Sequence, residues 1–136
     1  MLVSRSPIVV RYSETDMMGV VYHGSYLPWF EVGRTTLLRE SGLPYRELEN
    51  EGFFLPVIEV GVKYIRPARY DDHLEIVTTL SERPVLRIRL DYEVRRANEL
   101  LATGFTVHTF VNKSGLPVRP PGAFGTKMRE IFPAGA

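Results

Sequence analysis

The 136-residue sequence contains no cysteine and only one tryptophan. The lack of cysteine excludes disulfides, thiolate nucleophiles and cysteine ligands to a metal. The sequence has no run of about 18 apolar residues, so it predicts no helix that spans a membrane. Its first residues show no long apolar region followed by a small-residue cleavage site, and we therefore expect a cytoplasmic location.

A strong excess of one charge is also missing. Lysine and arginine total 17 against 16 for aspartate and glutamate, so the formal net charge is +1. Nucleic-acid-binding proteins usually carry a concentrated basic excess, and this balance does not favour that function. The three histidines lie far apart and form no HExxH pair, so we expect no metal site and no cofactor.

What the sequence does contain is typical of a globular protein. Its 44% hydrophobic and 24% charged residues fit one domain over residues 1–136. Alternating apolar residues predict a first strand from Ile8 to Tyr12, and helical spacing then predicts one long helix from Ser25 to Glu40. Four further alternating segments predict strands at 58–64, 74–80, 86–94 and 101–111.

Glycine and proline mark the ends of these elements. Gly42 is expected to end the long helix, and Gly33 on its apolar face predicts a close approach to a sheet. Residues 43–51 predict a short helical turn, and the tail from Asn112 is expected to be irregular apart from a short helical piece near 127–131. The short link at 97–99 favours antiparallel neighbours, so the pattern predicts an α+β fold with one helix, about 24 Å long, on an antiparallel meander.

The segment between the first strand and the long helix carries the chemistry. Asp16 stands before a glycine and a short apolar stretch that lead into the helix, where unpaired amides and the positive end of the helix dipole meet. An acid there can act as a general base or a nucleophile beside a polarised atom. On the residues alone, however, an aspartate in a Thr-Asp-x-x-Gly loop is more often a turn former or a cap.

This segment resembles the active-site segment of the hot-dog-fold acyl-CoA thioesterases, in particular the 4-hydroxybenzoyl-CoA thioesterase group and its Tol-Pal-associated bacterial members. The resemblance lies in Thr15-Asp16-x-x-Gly19-x-Val21-Tyr22-His23-x-x-Tyr26, with Glu31 and Arg34 after it. It extends to Val62-x-Tyr64-x-x-Pro67-Ala68-Arg69-Tyr70-Asp71-Asp72 and to Ala102-Thr103-Gly104 with His108. Met17-Met18 departs from the small residues common in the family, which concerns the shape of the pocket.

The resemblance implies a curved five-stranded antiparallel sheet around one central helix, and hydrolysis of an acyl-CoA to a free acid and CoA. By analogy, Asp16 is the general base or nucleophile, and the backbone amide of His23 polarises the thioester. Tyr22, Gly24 and Tyr64 become candidate substrate-binding residues. The resemblance also implies a homodimer, or a dimer of dimers, with sheets joined edge to edge and the site at the subunit interface.

Several residues keep a second interpretation. Glu31 is a rival acid, but it lies about 12 Å along the helix from His23, and Arg34 three residues later offers it an ordinary partner. The side chain of His23, and the rings of Tyr22 and Tyr64, can equally be structural. His73 is expected at the surface and His108 in the sheet. Aromatic residues 29, 30, 53 and 54 could line a pocket but are more often core, and Lys113 or Arg119 are candidates to contact the CoA phosphates.

Three rival functions remain. A hot-dog dehydratase would use a histidine in a different motif, and no Asp-x-Asn-Pro-x-His string occurs. A thioesterase acting on acyl-carrier protein would be favoured by a flat basic docking patch, which the near-neutral sequence neither indicates nor excludes. A non-catalytic module that binds acyl thioesters or a partner would not need Asp16.

Overall fold

The computed structural model describes residues 1–133, so the predicted domain of residues 1–136 extends three residues beyond it. None of the helices in that range has the length and apolar character needed to cross a membrane. The elements are β1 (Leu2–Val9), α1 (Tyr26–Glu40), α2 (Tyr45–Asn50), β2 (Val57–Tyr64), β3 (His73–Leu80), β4 (Arg87–Arg96), β5 (Glu99–Thr109) and α3 (Gly122–Ile131). Two short 3-10 segments, Tyr12–Glu14 and His23–Ser25, lie between β1 and α1.

The sheet has the strand order β1-β3-β4-β5-β2, and every neighbouring pair is antiparallel. The predicted five-stranded antiparallel sheet with one long helix is thereby confirmed. The simple meander is wrong for β2, which pairs with β5 and not with β3. Residues 65–72 connect β2 to β3 and are long enough to cross the sheet. The strand order leaves β1 and β2 as the two edges.

The first strand begins and ends earlier than predicted. It covers Leu2–Val9, and Tyr12 starts a 3-10 segment instead of continuing the strand. Its inward-facing residues include Ser4 and Ser6, each 3% exposed. Because these buried positions hold small hydroxyl residues, the strand shows no hydrophobic alternation in its first half.

Helix α1 crosses the sheet over β1 and β3. At Gly33, an added Cβ would overlap Thr78 Oγ1 and lie 3.2 Å from Ile76 Cγ2, so glycine permits the close approach that the sequence predicts. At the end of the helix, Ser4 Oγ donates a 2.7 Å hydrogen bond to Glu40 Oε1. These contacts hold α1 over one half of the sheet.

The inner face of β2 is left less covered. Val60 lies opposite Thr106 and Tyr64 opposite Ala102, and opposed residues of an antiparallel pair share a face. Thr106 and Ala102 are buried, but Val60 is 44% and Tyr64 48% exposed. The surface between the free side of α1 and the inner face of β2, called the groove below, is therefore only partly covered.

The aromatic residues near α1 belong mainly to the core. Trp29 is 2% and Phe30 0% exposed, and the Phe30 ring stacks on Tyr92 at 4.3 Å between centroids. Phe53 packs edge-on against Phe110 at 6.2 Å. The core assignment thus holds for these three residues, and the backbone of Phe54 pairs with Val111 beside them.

The chain after β5 is more regular than predicted. Helix α3 extends over Gly122–Ile131, whereas the sequence predicts only a short piece near 127–131. Pro121 precedes the first turn, where a helix tolerates proline, and Gly122 and Gly125 lower the helical propensity without preventing the helix. Phe124 and Met128, one turn apart and each 2% exposed, anchor α3 on the core.

The Gly33 contact gives a stability prediction. We expect Gly33→Ala to lower the free energy of unfolding by about 1 to 2 kcal/mol, because overpacking outweighs the gain of about 1 kcal/mol in helix propensity. Thr78→Ala removes the hydroxyl in the way, and this buried hydroxyl has no hydrogen-bond partner. Urea unfolding of both single variants and the double variant should show that Thr78→Ala recovers most of the loss; a more stable Gly33→Ala protein would contradict the contact.

Candidate active site

Asp16 begins a loop that is closed by main-chain hydrogen bonds. Thr15 and Val21 form an isolated antiparallel bridge, and the Asp16 N–H donates to Val20 O at 2.9 Å. The Gly19 N–H donates back to Asp16 O at 3.0 Å, with Gly19 at φ +79°, where glycine is favoured. The position of Asp16 is therefore set by the backbone.

The carboxylate of Asp16 is half-buried and partly used. Its Oδ1 accepts a hydrogen bond from the Met18 N–H at 2.9 Å, which is the turn-forming role that such a residue commonly has. The other oxygen, Oδ2, accepts no hydrogen bond from any of residues 1–133. The turn therefore fixes the carboxylate and leaves one oxygen available.

The same loop leads to the start of the helix. His23–Ser25 form a 3-10 turn that continues directly into α1. None of the turn and loop hydrogen bonds within residues 1–133 uses the N–H of His23 or Gly24 as a donor, as expected for the first residues of a helical segment. Two free amides thus lie at the positive end of a 15-residue helix, where they can bind a developing negative charge.

Tyr64 fixes one of these amides. Its hydroxyl donates a 2.7 Å hydrogen bond to the carbonyl oxygen of His23, and its ring packs edge-on against Tyr26 at 5.1 Å. Burial, with the neighbouring Tyr22, raises the pKa of Tyr64, so the hydroxyl keeps its proton and donates. The His23 carbonyl belongs to the same peptide group as the Gly24 N–H, so Tyr64 orients that amide.

Tyr22 and Gly24 shape the helix entrance. The Tyr22 ring lies 4.1 Å from the His23 ring, centroid to centroid, and is half exposed. A Cβ on Gly24 would lie 2.8 Å from Tyr22 Cε2, so glycine makes room for this ring. The structure thus brings Tyr22, His23, Gly24 and Tyr64 into direct contact, whereas Asp16 is linked to them through the Thr15–Val21 bridge.

Glu14 is a residue of the site that the sequence analysis missed. Glu14 is only 8% exposed, and both of its carboxylate oxygens accept hydrogen bonds. Oε1 accepts the Arg11 N–H and Oε2 accepts the Trp29 Nε1–H, each at 2.7 Å. Its carbonyl oxygen accepts the Tyr22 N–H at 2.8 Å and the Ser25 hydroxyl at 3.0 Å. The lone tryptophan was the available signal, because a buried indole N–H needs an acceptor.

Glu31 and Arg34 lie farther along α1, away from the helix entrance. The ion pair between them that the sequence predicts is wrong: no ion pair within residues 1–133 includes either side chain. Both instead border a cavity of about 270 Å³ lined by residues of α1, α2, α3, β3, β4 and β5 and by Leu55. The Arg34 guanidinium, which borders this cavity, lies beside the Tyr92 hydroxyl.

His108, which lines the cavity, belongs to a chain of hydrogen bonds that links Tyr92, Thr106 and Leu55. His108 Nδ1 lies 3.1 Å from Leu55 O, which can only accept, so Nδ1 carries the proton. Nε2 then accepts from the Thr106 hydroxyl at 2.8 Å, and Thr106 accepts from the Tyr92 hydroxyl at 2.6 Å. Burial lowers the pKa of His108, the Leu55 hydrogen bond opposes this, and the Arg34 charge lowers the pKa further. The imidazole is therefore neutral and structural, as expected for a sheet residue, while His73 lies exposed.

A five-stranded antiparallel sheet that packs on one long helix is the hot-dog fold, the architecture of the solved thioesterases that this chain resembles. Sequence comparison agrees, since the model of the thioesterase-like superfamily matches residues 10–128. The chain therefore belongs to the thioesterase-like superfamily, which confirms the resemblance seen in the sequence.

Individual relatives support this assignment over nearly the whole chain. The acyl-CoA thioesterase YbgC of Haemophilus influenzae is 34% identical and covers 93% of this chain and 91% of its own. A structure of a hypothetical protein from Thermus thermophilus has a TM-score of 0.89 with 36% identity, and the match covers 95% of this chain and 97% of that protein. The 1,4-dihydroxy-2-naphthoyl (DHNA)-CoA thioesterase of Staphylococcus aureus has a TM-score of 0.84 with 32% identity, covering 98% and 85%.

The buried histidine gives a pH prediction. Because folding lowers the pKa of His108 below about 6.5, the unfolded chain binds a proton in acid that the folded protein does not. His108 therefore lowers the free energy of unfolding as pH falls below about 6.5, by at most about 1.4 kcal/mol per pH unit. Urea unfolding at pH 8 and pH 5.5 should show a smaller pH effect in His108→Asn than in the parent protein.

The matched control for this measurement is His73→Asn, which changes a histidine that is exposed at the start of β3. We expect this variant to keep the pH dependence of the parent protein. An unchanged pH effect in His108→Asn would show that the imidazole already titrates freely in the folded protein.

Proposed function

We propose that the protein is an acyl-CoA thioesterase that hydrolyses the thioester bond to a carboxylic acid and CoA. The observation that carries the proposal is the pairing of Asp16, with one free carboxylate oxygen, and the free amides of His23 and Gly24 at the end of the same short loop. Membership of the thioesterase-like superfamily supports it, as does the relative YbgC, an acyl-CoA thioesterase.

In the proposed reaction, the thioester carbonyl lies against the helix entrance. The N–H groups of His23 and Gly24 bind the carbonyl oxygen and stabilise the negative charge that develops on it. Asp16 either removes a proton from water, which attacks the carbonyl carbon, or attacks directly to form an anhydride that water then hydrolyses. The thiolate leaves readily because a thiol has a pKa of roughly 8.5.

The remaining residues act by position. Tyr64 holds the peptide group that carries the Gly24 N–H, and a hydrogen bond to its carbonyl polarises that amide further. Tyr22 borders the entrance and is exposed enough to contact substrate. No step uses a metal or cofactor; their absence and the cytoplasmic location stay predictions of the sequence.

We also propose a homodimer formed through β2. This edge strand exposes Val57, Ile58, Val60 and Tyr64, each between 42% and 48%, whereas the other edge, β1, carries Pro7, which cannot donate to a further strand. Since Tyr64 lies on β2 and contacts His23, a second copy paired there would border the site. Association into a dimer of dimers stays a prediction.

Two-fold pairing also bears on the CoA phosphates. Lys113 and Arg119 follow the Phe54–Val111 bridge, at the opposite end of β2 from Tyr64. An eight-residue strand is about 26 Å long, so these exposed cations are far from His23 of the same chain. Two β2 strands paired by a two-fold axis run antiparallel, and each would bring these cations of one copy towards the site of the other.

The acid is tested by Asp16→Asn. We expect kcat/KM for acyl-CoA to fall at least about 100-fold, because asparagine is neither a base nor a nucleophile at neutral pH. The free energy of unfolding should stay within about 0.5 kcal/mol, since Asn Oδ1 can still accept from the Met18 N–H. Thiol release and urea unfolding measure the two effects, and undiminished turnover would contradict the assigned role.

The contrasting variant is Glu14→Gln. A glutamine offers one N–H₂ where Glu14 presents two acceptors, so either the Arg11 N–H or Trp29 Nε1 loses its partner. We expect a loss of about 1.5 to 3 kcal/mol of stability. The pair of variants thereby separates a catalytic carboxylate from a structural one two residues away.

The dimer is tested by Val60→Lys on β2 against Val3→Lys on β1. The two valines are 44% and 46% exposed on opposite edges of the sheet. We expect Val60→Lys to give monomers in light scattering, because Val60 lies near the middle of β2 and a symmetric pairing of β2 would bring the two lysines together, and Val3→Lys to leave the dimer intact. Equal masses for the two variants would place the interface elsewhere.

A further inference from the structure

The cavity beside α1 has a closed apolar end and a polar mouth. Its deep wall includes Leu37, Leu90, Phe124 and Met128, all at most 4% exposed. The mouth is formed by Glu31, Arg34 and Thr35, of which Glu31 is exposed and the other two are half-buried. A molecule entering at α1 would therefore end between α3 and the sheet.

The mouth lies on the same face of α1 as the candidate active site. Leu27, Glu31 and Arg34 follow one another at spacings of four and three residues and so form one stripe of the helix. This stripe borders the groove along the inner face of β2, because the opposite side of α1 is tied to β1 through Ser4 and Glu40. Tyr64, bonded to His23, stands at one end of the groove, and Glu31 and Arg34, which border the cavity, lie farther along the same stripe of the helix.

The polar ring groups among the lining residues already have partners. Both nitrogens of His108 belong to a hydrogen-bond chain that runs from the Tyr92 and Thr106 hydroxyls, which lie outside the lining, to Leu55 O. The Tyr45 hydroxyl accepts the Leu55 N–H at 3.2 Å. A ligand that carried its own hydroxyl or carboxylate to this depth would find no free donor or acceptor in that chain. The remaining deep wall is aliphatic and aromatic, which suits a hydrocarbon chain.

The distances decide how long that chain must be. His23 and Glu31 are eight residues, or about 12 Å, apart along the helix. An extended hydrocarbon advances about 1.25 Å per carbon, from its bond length and angle, so about ten carbons cover the groove. A cavity of about 150 Å³ accommodates the six carbons of benzene, or about 25 Å³ per carbon. The cavity of about 270 Å³ therefore holds about ten further carbons of the acyl chain.

We propose, on the basis of the thioesterase function proposed above, that the cavity receives the far end of an unbranched aliphatic acyl chain, and that the preferred acyl-CoA has more than about ten carbons. A benzoyl or naphthoyl group bound at His23 is too short to reach the mouth. The cavity is thus the part of the site that sets the acyl specificity, and α3 sets the upper limit of chain length.

The first experiment measures kcat/KM for acyl-CoAs from C4 to C18 below their micelle concentrations, with DHNA-CoA alongside. We expect little gain up to about C10 and then about a fourfold gain for each methylene that enters the cavity. A flat profile beyond C10, or DHNA-CoA as the best substrate, would overturn the proposal while leaving the thioesterase function intact.

The second experiment closes the mouth with Thr35→Phe and uses Thr36→Phe as the matched control. Thr35 borders the cavity, whereas the neighbouring Thr36 does not, and its hydroxyl bonds back to Val32 O. We expect Thr35→Phe to lower the ratio of C16 to C4 activity at least tenfold and Thr36→Phe to leave it unchanged. An equal change in both variants, or none in Thr35→Phe, would contradict the assignment.

A binding measurement separates this inference from the function on which it rests. Calorimetry with the non-hydrolysable thioethers S-hexadecyl-CoA and S-butyl-CoA needs no turnover. Tighter binding of the hexadecyl compound, lost in Thr35→Phe and kept in Thr36→Phe, would support the cavity even if no acyl-CoA were hydrolysed. Equal affinities for the two thioethers in the parent protein would reject the cavity whatever the enzyme hydrolyses.

Discussion

The buried carboxylate of Glu14 is the interaction on which the arrangement of the site depends. A carboxylate removed from water is stable only where donors replace its hydration, and here Arg11 and Trp29 supply them. The end of the first strand and the first turns of α1 are thereby tied to one side chain. Because the carbonyl of the same residue holds Tyr22 and Ser25, the loop has a fixed width and the helix a fixed starting point. Glu14 thus holds the two ends of the loop, while main-chain hydrogen bonds within the loop position Asp16.

The second constraint is the lateral position of α1. Gly33 against Thr78, and Glu40 against Ser4, hold the helix over β1 and β3 and away from β2. That displacement produces three features together: the groove, the cavity at its end and the uncovered edge strand. In a helix centred on the sheet, the space beside Arg34 would be filled and β2 would be covered. The proposed site, the proposed acyl specificity and the proposed dimer contact thus depend on the same packing of α1 against β1 and β3.

The sequence predicts long periodic elements well and exceptions to periodicity poorly. α1 and the strands β2 to β5 follow from spacing alone, whereas β1 is displaced because Ser4 and Ser6 fill buried positions without apolar side chains. The place of β2 at the far edge depends on long-range pairing that no local pattern contains. Tyr22, His23, Gly24 and Tyr64 were predicted as site residues because one segment and one strand end carry a family pattern, and the structure brings these four residues into contact. Glu14 was missed because glutamate side chains normally lie in solvent. The predicted Glu31–Arg34 ion pair was wrong because the Arg34 side chain lies beside the Tyr92 hydroxyl instead.

The loop that carries Asp16 is held by main-chain groups and by Asp16 itself, while Met17 and Met18 between them are highly exposed. The two methionine side chains therefore contribute little to where the carboxylate sits. Substitutions at these two positions can accumulate over evolutionary time without moving the acid, while each one alters the surface beside it. Relatives that share the chemistry are thus free to diverge at these two positions.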